Sequence, residues 1–350
     1  MVTHHHDGTG QDEAERGRTV VVTGGSDGMG RGVVLGRAAH GDRVLAIGSN
    51  PTKGASLLSA ATASGTGDRV EFLAADLSTI AGNQAVIDHV AANYRTIDGL
   101  VMAANRQSPR RADTSDGFES TFALYYLSRY LLGHGLMPAL SAASKPVIVN
   151  IAGVGLTSGK INWDDLQLRT RYRTIAAQLQ AGRANDLLGV AMAEQFGERV
   201  PYVLYHPGFT RSGDSAMEEV NPLTRAVIKT VASIAARSVD RAIAPVHEFL
   251  DSPPTVPLTA VDRGKPVPLD LKTLDPAAAR RLAAMTAQLL ASADPTPVTP
   301  RHAPPRSRSG TTPTTTTGRT AVRTASRQPH GIGPVSPTSD PRTPRRPPAS

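Results

Sequence analysis

Short aliphatic runs alternate with longer segments of helical period from residue 19 to about residue 292. The first run, Thr19-Val20-Val21-Val22-Thr23, is apolar at successive positions, as in a strand buried on both faces of a parallel sheet. It enters Gly24-Gly25-Ser26-Asp27-Gly28-Met29-Gly30, and a helix-forming segment around 33–39 leaves it. Further strands are predicted at Arg43–Gly48, 70–73, 99–103, 146–152 and 202–205. Helices are predicted near 53–63, over Ile80–Asn93, over 118–136 and, after a long loop, near 175–196. Beyond Pro207-Gly208, helical segments are expected at 220–236, 241–250 and 276–291, with Asp275 as N-cap and Pro276 in the first turn of the last. The proline-rich stretch 253–271 is the place for a final edge strand. Repeated β-then-α units place the chain in the α/β class, with one parallel sheet covered by helices on both faces.

Composition changes this picture mainly at the ends. Residues 1–17 are polar and carry His4-His5-His6, which reads as a disordered leader rather than a weak metal site. Residues 295–350 are rich in Pro, Thr, Ser and Arg and bury too little apolar surface to fold alone. This reads as a solvated tail, with weak binding to an acidic surface or phosphorylation at Thr343-Pro344 as alternatives. The expected folded domain is therefore 18–294. The formal charge of +8 lies in the tail, where 301–350 hold nine Arg and one Asp; the other 300 residues are neutral and give no sign of nucleic-acid binding. Scarce lysine beside abundant arginine looks like a GC-rich coding bias. The chain has no cysteine, which excludes disulfides and thiolate metal sites. With no apolar h-region and no apolar run of about 18 residues, the expectation is a soluble, non-secreted, cytoplasmic protein.

The glycine turn carries the clearest chemistry. Of Gly24, Gly28 and Gly30, one allows a tight turn, one lets backbone approach a ligand, and one lets the helix pack on the strand. The helix N-terminus then offers free N–H groups and a positive dipole end to a pyrophosphate.

With these elements in place, residues 19–292 resemble the short-chain dehydrogenase/reductase family, whose fold is a single Rossmann-type doubly wound sheet. Thr23-Gly24-Gly25-Ser26-Asp27-Gly28-Met29-Gly30 matches the family's TGxxxGxG turn. Asp76-Leu77 matches the segment set against adenine, and Asp98-Gly99-Leu100-Val101 and Val147-Ile148-Val149-Asn150 match the fourth and fifth strands. His206-Pro207-Gly208-Phe209-Thr210 matches the turn and the Thr that reach the nicotinamide amide. Gly117-Phe118-Glu119, Ile161-Asn162-Trp163-Asp164-Asp165-Leu166 and Arg183-Ala184-Asn185 are similar to the retinol-dehydrogenase-like branch. The resemblance implies a nicotinamide cofactor held by Thr23, Gly24, Ser26, Asp27, Gly28, Met29, Gly30, Ser49, Asn50, Asp76, Leu77, Ala104, Asn105, Pro207, Gly208 and Thr210. It also implies a small-molecule substrate and, as relatives commonly show, a homodimer.

The family's catalytic set is replaced. Its Asn-Asn-Ala-Gly appears as Ala103-Ala104-Asn105-Arg106, and its relay Asn falls on Tyr125. Its Ser falls on Gly153, its Tyr on Gln178 and its Lys on Gly182. A glutamine donates a hydrogen bond but transfers no proton, and general acid–base help is worth about 10²–10⁴ in rate. Three compensations are conceivable: Tyr125 as donor, Tyr172 or Tyr126 reaching in, and Arg106 or Arg183 supplying the lysine's charge. Packing for Tyr125 and Tyr126, a loop role for Tyr172 and a surface ion pair for Arg183 are the plainer readings. Asp164 and Asp165 are expected to cap a helix rather than to act as an acid–base pair.

Strand two ends Gly48-Ser49-Asn50, without the acid that binds a ribose diol, and Lys53 is within reach of a 2′-phosphate. The cofactor reading leans to NADP over NAD, with Asp27 pulling against it. Three functions follow: an oxidoreductase with a relocated proton donor, a non-redox enzyme on the same fold, or an inactive nucleotide-binding sensor or scaffold. The substrate would be shaped by 106–116, 155–173 and 210–223, and the basic run from Arg106 to Arg111 suits an anionic group if it is not simply solvated.

Overall fold

The computed structural model describes residues 17–208 and 239–293. The expected leader, the helix at 220–236, Thr210 and the tail lie outside the described residues. In chain order the structure runs β1 (Thr19–Thr23), α1 (Gly28–Ala39), β2 (Arg43–Gly48), α2 (Pro51–Ala63), β3 (Val70–Ala74), α3 (Ile80–Asn93) and β4 (Gly99–Met102). Helix α4 follows as one continuous run of Ser120–Phe122, a π turn at Ala123–Leu127 and Ser128–Gly135, and then the short α5 (Met137–Ser141). After β5 (Val147–Ile151) come α6 (Thr174–Phe196), β6 (Tyr202–His206), α7 (Val239–Asp251), β7 (Leu258–Asp262), β8 (Lys265–Pro266) and α8 (Pro276–Ser292).

The strands form one sheet in the order β3-β2-β1-β4-β5-β6-β7-β8, parallel except for the β7–β8 pair. The expected edge strand is β7, and β8 adds a short antiparallel margin. Strand side chains alternate between two cores. Val21, Leu45, Leu100, Ile148 and Leu204 point to the face covered by α3, α4, α6 and α8. Val20, Val22, Val44, Val101, Val149 and Val203 point to the face covered by α1, α2 and α7. Each such side chain contributes about 1.5–3 kcal/mol by leaving water. Burial on both faces is why the runs read as continuously apolar rather than alternating.

Strand order reverses between β1 and β4, which opens a crevice beyond the carboxyl ends of the strands. The helix boundaries follow from capping. Asp27 caps α1, Asn50 caps α2, Thr79 caps α3 and Asp275 caps α8, each accepting a backbone N–H of the first turn. Helix α4 starts two residues later than its apolar pattern suggests, because the buried Glu119 carboxylate accepts from Thr121 N (2.8 Å) and Phe122 N (2.7 Å). Asp165 does not cap a helix, contrary to expectation. It closes a turn by accepting from the N–H groups of Arg169 (2.9 Å) and Thr170 (3.0 Å), because α6 begins only at Thr174. Among the described residues no helix is long and apolar enough to cross a membrane.

One buried ion pair ties α1 to the start of β2 and the end of α7. Arg37 Nε donates to Asp42 Oδ2 at 2.5 Å and Nη1 donates to Asp251 Oδ1 at 2.6 Å. Removing one partner of a buried pair leaves a charge unpaired, at a cost of about 3–5 kcal/mol. Asp251 is partly exposed and retains some of the interaction, so Asp42→Ala should cost about 3 kcal/mol in urea unfolding. A change below about 1 kcal/mol would show the pair to be dispensable.

Candidate functional site

The crevice is a cavity of about 1030 Å³ that runs from the glycine turn, past the ends of β2, β3 and β4, to the start of α6. Its glycine end depends on close backbone contact. Gly24 has a φ of +67°, and a Cβ on Gly30 would lie 2.2 Å from the Gly24 carbonyl oxygen. A methyl group there would force α1 off the turn. Thr23 lies behind the cavity wall, where its hydroxyl accepts from Ala103 N (3.1 Å) and Ala104 N (3.2 Å). It thereby fixes the end of β4 against the end of β1.

Gly24, Ser26, Asp27, Gly28, Met29 and Gly30 all line this end of the cavity. Ser49, Asn50, Asp76 and Leu77 line its next portion, and Ala104, Asn105, Pro207 and Gly208 its far portion. Asn50 and Asp76 use their side chains locally: Asn50 accepts from Lys53 N (3.0 Å) and Asp76 from the Ser78 hydroxyl (2.7 Å). Across the mouth, Lys53 Nζ donates to Asp27 Oδ2 at 2.5 Å. That hydrogen bond is the main reason the Asp27 carboxyl is held below its ordinary range. The fit to a dinucleotide is therefore good: a glycine cradle that a Cβ would fill, at the N-terminus of a 12-residue helix, with the Lys53 ammonium, paired to Asp27, across its mouth.

The far portion brings together the four positions that the sequence resemblance assigns to a catalytic set. Tyr125, Gly153, Gln178 and Gly182 all line the cavity. Gln178 and Asn105 exchange amide hydrogen bonds (3.3 and 3.4 Å), and Gln178 Nε2 also donates to Arg106 O at 3.4 Å. A Cβ on Gly182 would meet nothing within 4 Å, so open space stands at the lysine position. A Cβ on Gly153 would come within 2.9 Å of only the flexible end of Leu156.

Tyr125 is 7% exposed and packs with Ala152 and Ala181. Burial pushes its phenol above the ordinary value, while the charge of Arg129 and the Gly153 N–H act in the opposite direction. The other proposed donors are placed elsewhere. The Tyr126 hydroxyl bonds the Thr286 hydroxyl of α8 at 2.7 Å, and Tyr172 donates to Ser108 O at 2.8 Å, so both serve packing. Arg106 lines the cavity. Arg183 does so too, but its charge is taken up by Asp186 (2.8 Å), and it donates to Leu156 O (2.7 Å) and Gly159 O (3.1 Å). It clamps the 153–160 loop instead of replacing the lysine. Burial pushes the Asp186 carboxyl upward, and the adjoining Arg183 guanidinium pulls it back.

Sequence reasoning missed a buried polar spine behind the cavity. Asn185 Nδ2 donates to the Tyr125 carbonyl at 2.7 Å, at the π turn where Ser128 N–H reaches back to Ala123 O. Asn150 Nδ2 donates to Asn185 Oδ1 (3.0 Å) and to the Tyr202 hydroxyl (2.8 Å). Arg129 donates to Asn150 Oδ1, to Ile151 O (2.8 Å) and to Ala104 O (3.1 Å). Its spacing of four residues from Tyr125 was the available signal. His206 and Asp262, 2.8 Å apart at the Pro207–Gly208 end, were also not anticipated as a pair.

A family model described as short chain dehydrogenase matches residues 18–163. Retinol dehydrogenase 12 of Bos taurus is 29% identical over 197 residues, 56% of this chain and 62% of that protein. Polyprenol dehydrogenase of Homo sapiens is 29% identical over 168 residues, 47% of this chain and 51% of that protein. The chain thus spans less than two thirds of the length of these relatives. Among solved structures, the Pseudomonas aeruginosa RhlG/NADP active-site complex superimposes with a TM-score of 0.56 at 21% identity, covering 71% of this chain and 96% of that one.

The contact of Gly30 with Gly24 gives a direct test. Gly30→Ala should leave the far-ultraviolet circular dichroism unchanged and weaken NADPH binding, followed by nicotinamide fluorescence, by about tenfold or more, equivalent to about 1.4 kcal/mol. Unchanged affinity would show that the cradle does not need this approach.

Proposed function

We propose that this chain, a member of the short-chain dehydrogenase/reductase family in its retinol-dehydrogenase-like branch, is an NAD(P)-dependent oxidoreductase that interconverts a small-molecule carbonyl and alcohol with Tyr125 as proton donor. The observation that carries this reading is a single cavity lined by both the glycine cradle and Tyr125. The RhlG structure is a complex with NADP, which supports a nicotinamide cofactor on the same fold.

In this reading the backbone of Gly24, Ser26, Met29 and Gly30 would hold the pyrophosphate, and Asp76 and Leu77, which line the next portion of the cavity, would meet the adenine. Ser49, Asn50 and Lys53 meet the adenosine ribose, where the lysine favours a 2′-phosphate and hence NADP. Ala104, Asn105, Pro207, Gly208 and Thr210 belong to the nicotinamide end. A reduced nicotinamide, when bound, would supply the hydride that reduces the carbonyl carbon. Tyr125 then breaks its O–H bond and gives the proton to the carbonyl oxygen, and its phenolate regains a proton from solvent. Gln178 cannot act as an acid, and its amide orients the Asn105 side chain and the Arg106 carbonyl at the cavity wall.

The open space at Gly182 favours a second reading, a nucleotide-binding protein without hydride transfer. Titration with NADPH and NADH, followed by a screen of aldehydes, ketones and alcohols, separates the two. The oxidoreductase reading expects binding of both cofactors, turnover, and a loss of about 10²–10⁴ in kcat for Tyr125→Phe. Failure to bind either nucleotide, or wild-type turnover in Tyr125→Phe, would overturn it. Lys53→Ala should weaken NADPH by about two- to fivefold and leave NADH unchanged, the size expected of an exposed charge contact. Equal effects on the two nucleotides would remove Lys53 from the phosphate site.

A further inference from the structure

Arg129 is 2% exposed and lies one helical turn beyond Tyr125 on α4. Its guanidinium carbon stands 4.6 Å from the centre of the Tyr125 ring. The guanidinium donates to the carbonyls of Ile151 and Ala104 and to the Asn150 side chain, and its Nε has no partner. No carboxylate pairs with it among the described residues. A buried cation held by dipoles alone is costly, and a nearby anion relieves that cost.

The charged and polar groups that meet this pair come from four elements. On α4 there is Arg129 itself, and on β6 the neutral phenol of Tyr202. Beside β5 the Gly153 N–H favours a charged phenol, and from α6 the Asp186 carboxyl opposes one. Asn150 and Asn185 are neutral and are satisfied within the spine. Arg129 is thus the cation that faces the Tyr125 ring.

We propose that Arg129 is the charge partner of Tyr125, a positioning residue that does for this phenol what a lysine does for the tyrosine elsewhere in the family. The proposal rests on the reading of Tyr125 as proton donor. When Tyr125 gives its proton to the carbonyl oxygen, the phenolate left behind is the anion that Arg129 lacks. Proton transfer therefore turns an unpaired buried cation into an ion pair between successive turns of α4. The arrangement also links the two ends of the reaction. The carbonyls that Arg129 holds are those of Ala104 and Ile151, at the carboxyl ends of β4 and β5 where the cavity is formed. A charge placed on α4 rather than at the lysine position of α6 explains how Gly182 could be left without a side chain.

The test uses the full chain labelled with ¹³Cζ-tyrosine, with the Tyr125 resonance assigned by its loss in Tyr125→Phe. Its titration is followed without cofactor in wild type, Arg129→Lys and Arg129→Met. The expected result is an upward shift of the Tyr125 titration in Arg129→Met that Arg129→Lys largely restores. In turnover, Arg129→Met should lower kcat by about 10²-fold with unchanged NADPH affinity and move the basic limb of the pH profile upward. If Arg129→Met fails to fold, Asn150→Asp supplies a competing carboxylate to Arg129, and the Tyr125 titration should again move upward. An unchanged Tyr125 titration in folded Arg129→Met, or in Asn150→Asp, would overturn the proposal. Loss of nucleotide binding by the wild-type chain would instead sink the oxidoreductase reading and leave the titration result standing.

Discussion

The cavity depends on one backbone contact, the approach of Gly30 to the Gly24 carbonyl at a distance that leaves no room for a Cβ. This contact brings α1 down onto the carboxyl end of β1 and aims the helix N-terminus into the crevice where strand order reverses. Thr23 extends the same constraint sideways, because its hydroxyl holds the first residues after β4 beside the glycine turn. The position of Asn105, and through it of Gln178, follows from that bond.

The second organising feature is polar and lies behind the first. Arg129, Asn150, Asn185 and Tyr202 join α4, β5, α6 and β6 in a buried network. Such networks specify a single arrangement when their members are satisfied, as these are apart from Arg129 Nε. The network also anchors the π turn, since Asn185 donates to the Tyr125 carbonyl within it. The residue at the π turn and the residue at the cavity wall are the same tyrosine, so the backbone irregularity sits at the proposed proton donor.

Much of the fold was legible because strands buried on both faces carry continuous valine runs. Val20–Val22 and the glycines after it announced β1 and its turn, and Asp275 marked the start of α8 through its capping side chain. The π turn was not legible, since it depends on Asn185, sixty residues away from Tyr125. Arg129 escaped notice for a related reason: a lone arginine in an amphipathic helix reads as solvated, and only the carbonyls of Ala104 and Ile151 make its burial possible. Asp164 and Asp165 pointed to a helix start because a tryptophan and two acids suit one. The helix expected there is delayed to Thr174, and Asp165 closes a turn instead.

In the proposed reading the glycine cradle and the phenol divide the work of the site, with the nucleotide at one end and the proton at the other. The sharpest measurement of that division is the solvent deuterium isotope effect on single-turnover oxidation of bound NADPH, taken with a carbonyl substrate from the screen in wild type and Tyr125→Phe. Proton donation by Tyr125 predicts a normal isotope effect in wild type, and a much slower step in the variant from which the effect has gone while NADPH binding is retained. A variant with the same rate and the same isotope effect as wild type would rule that donation out.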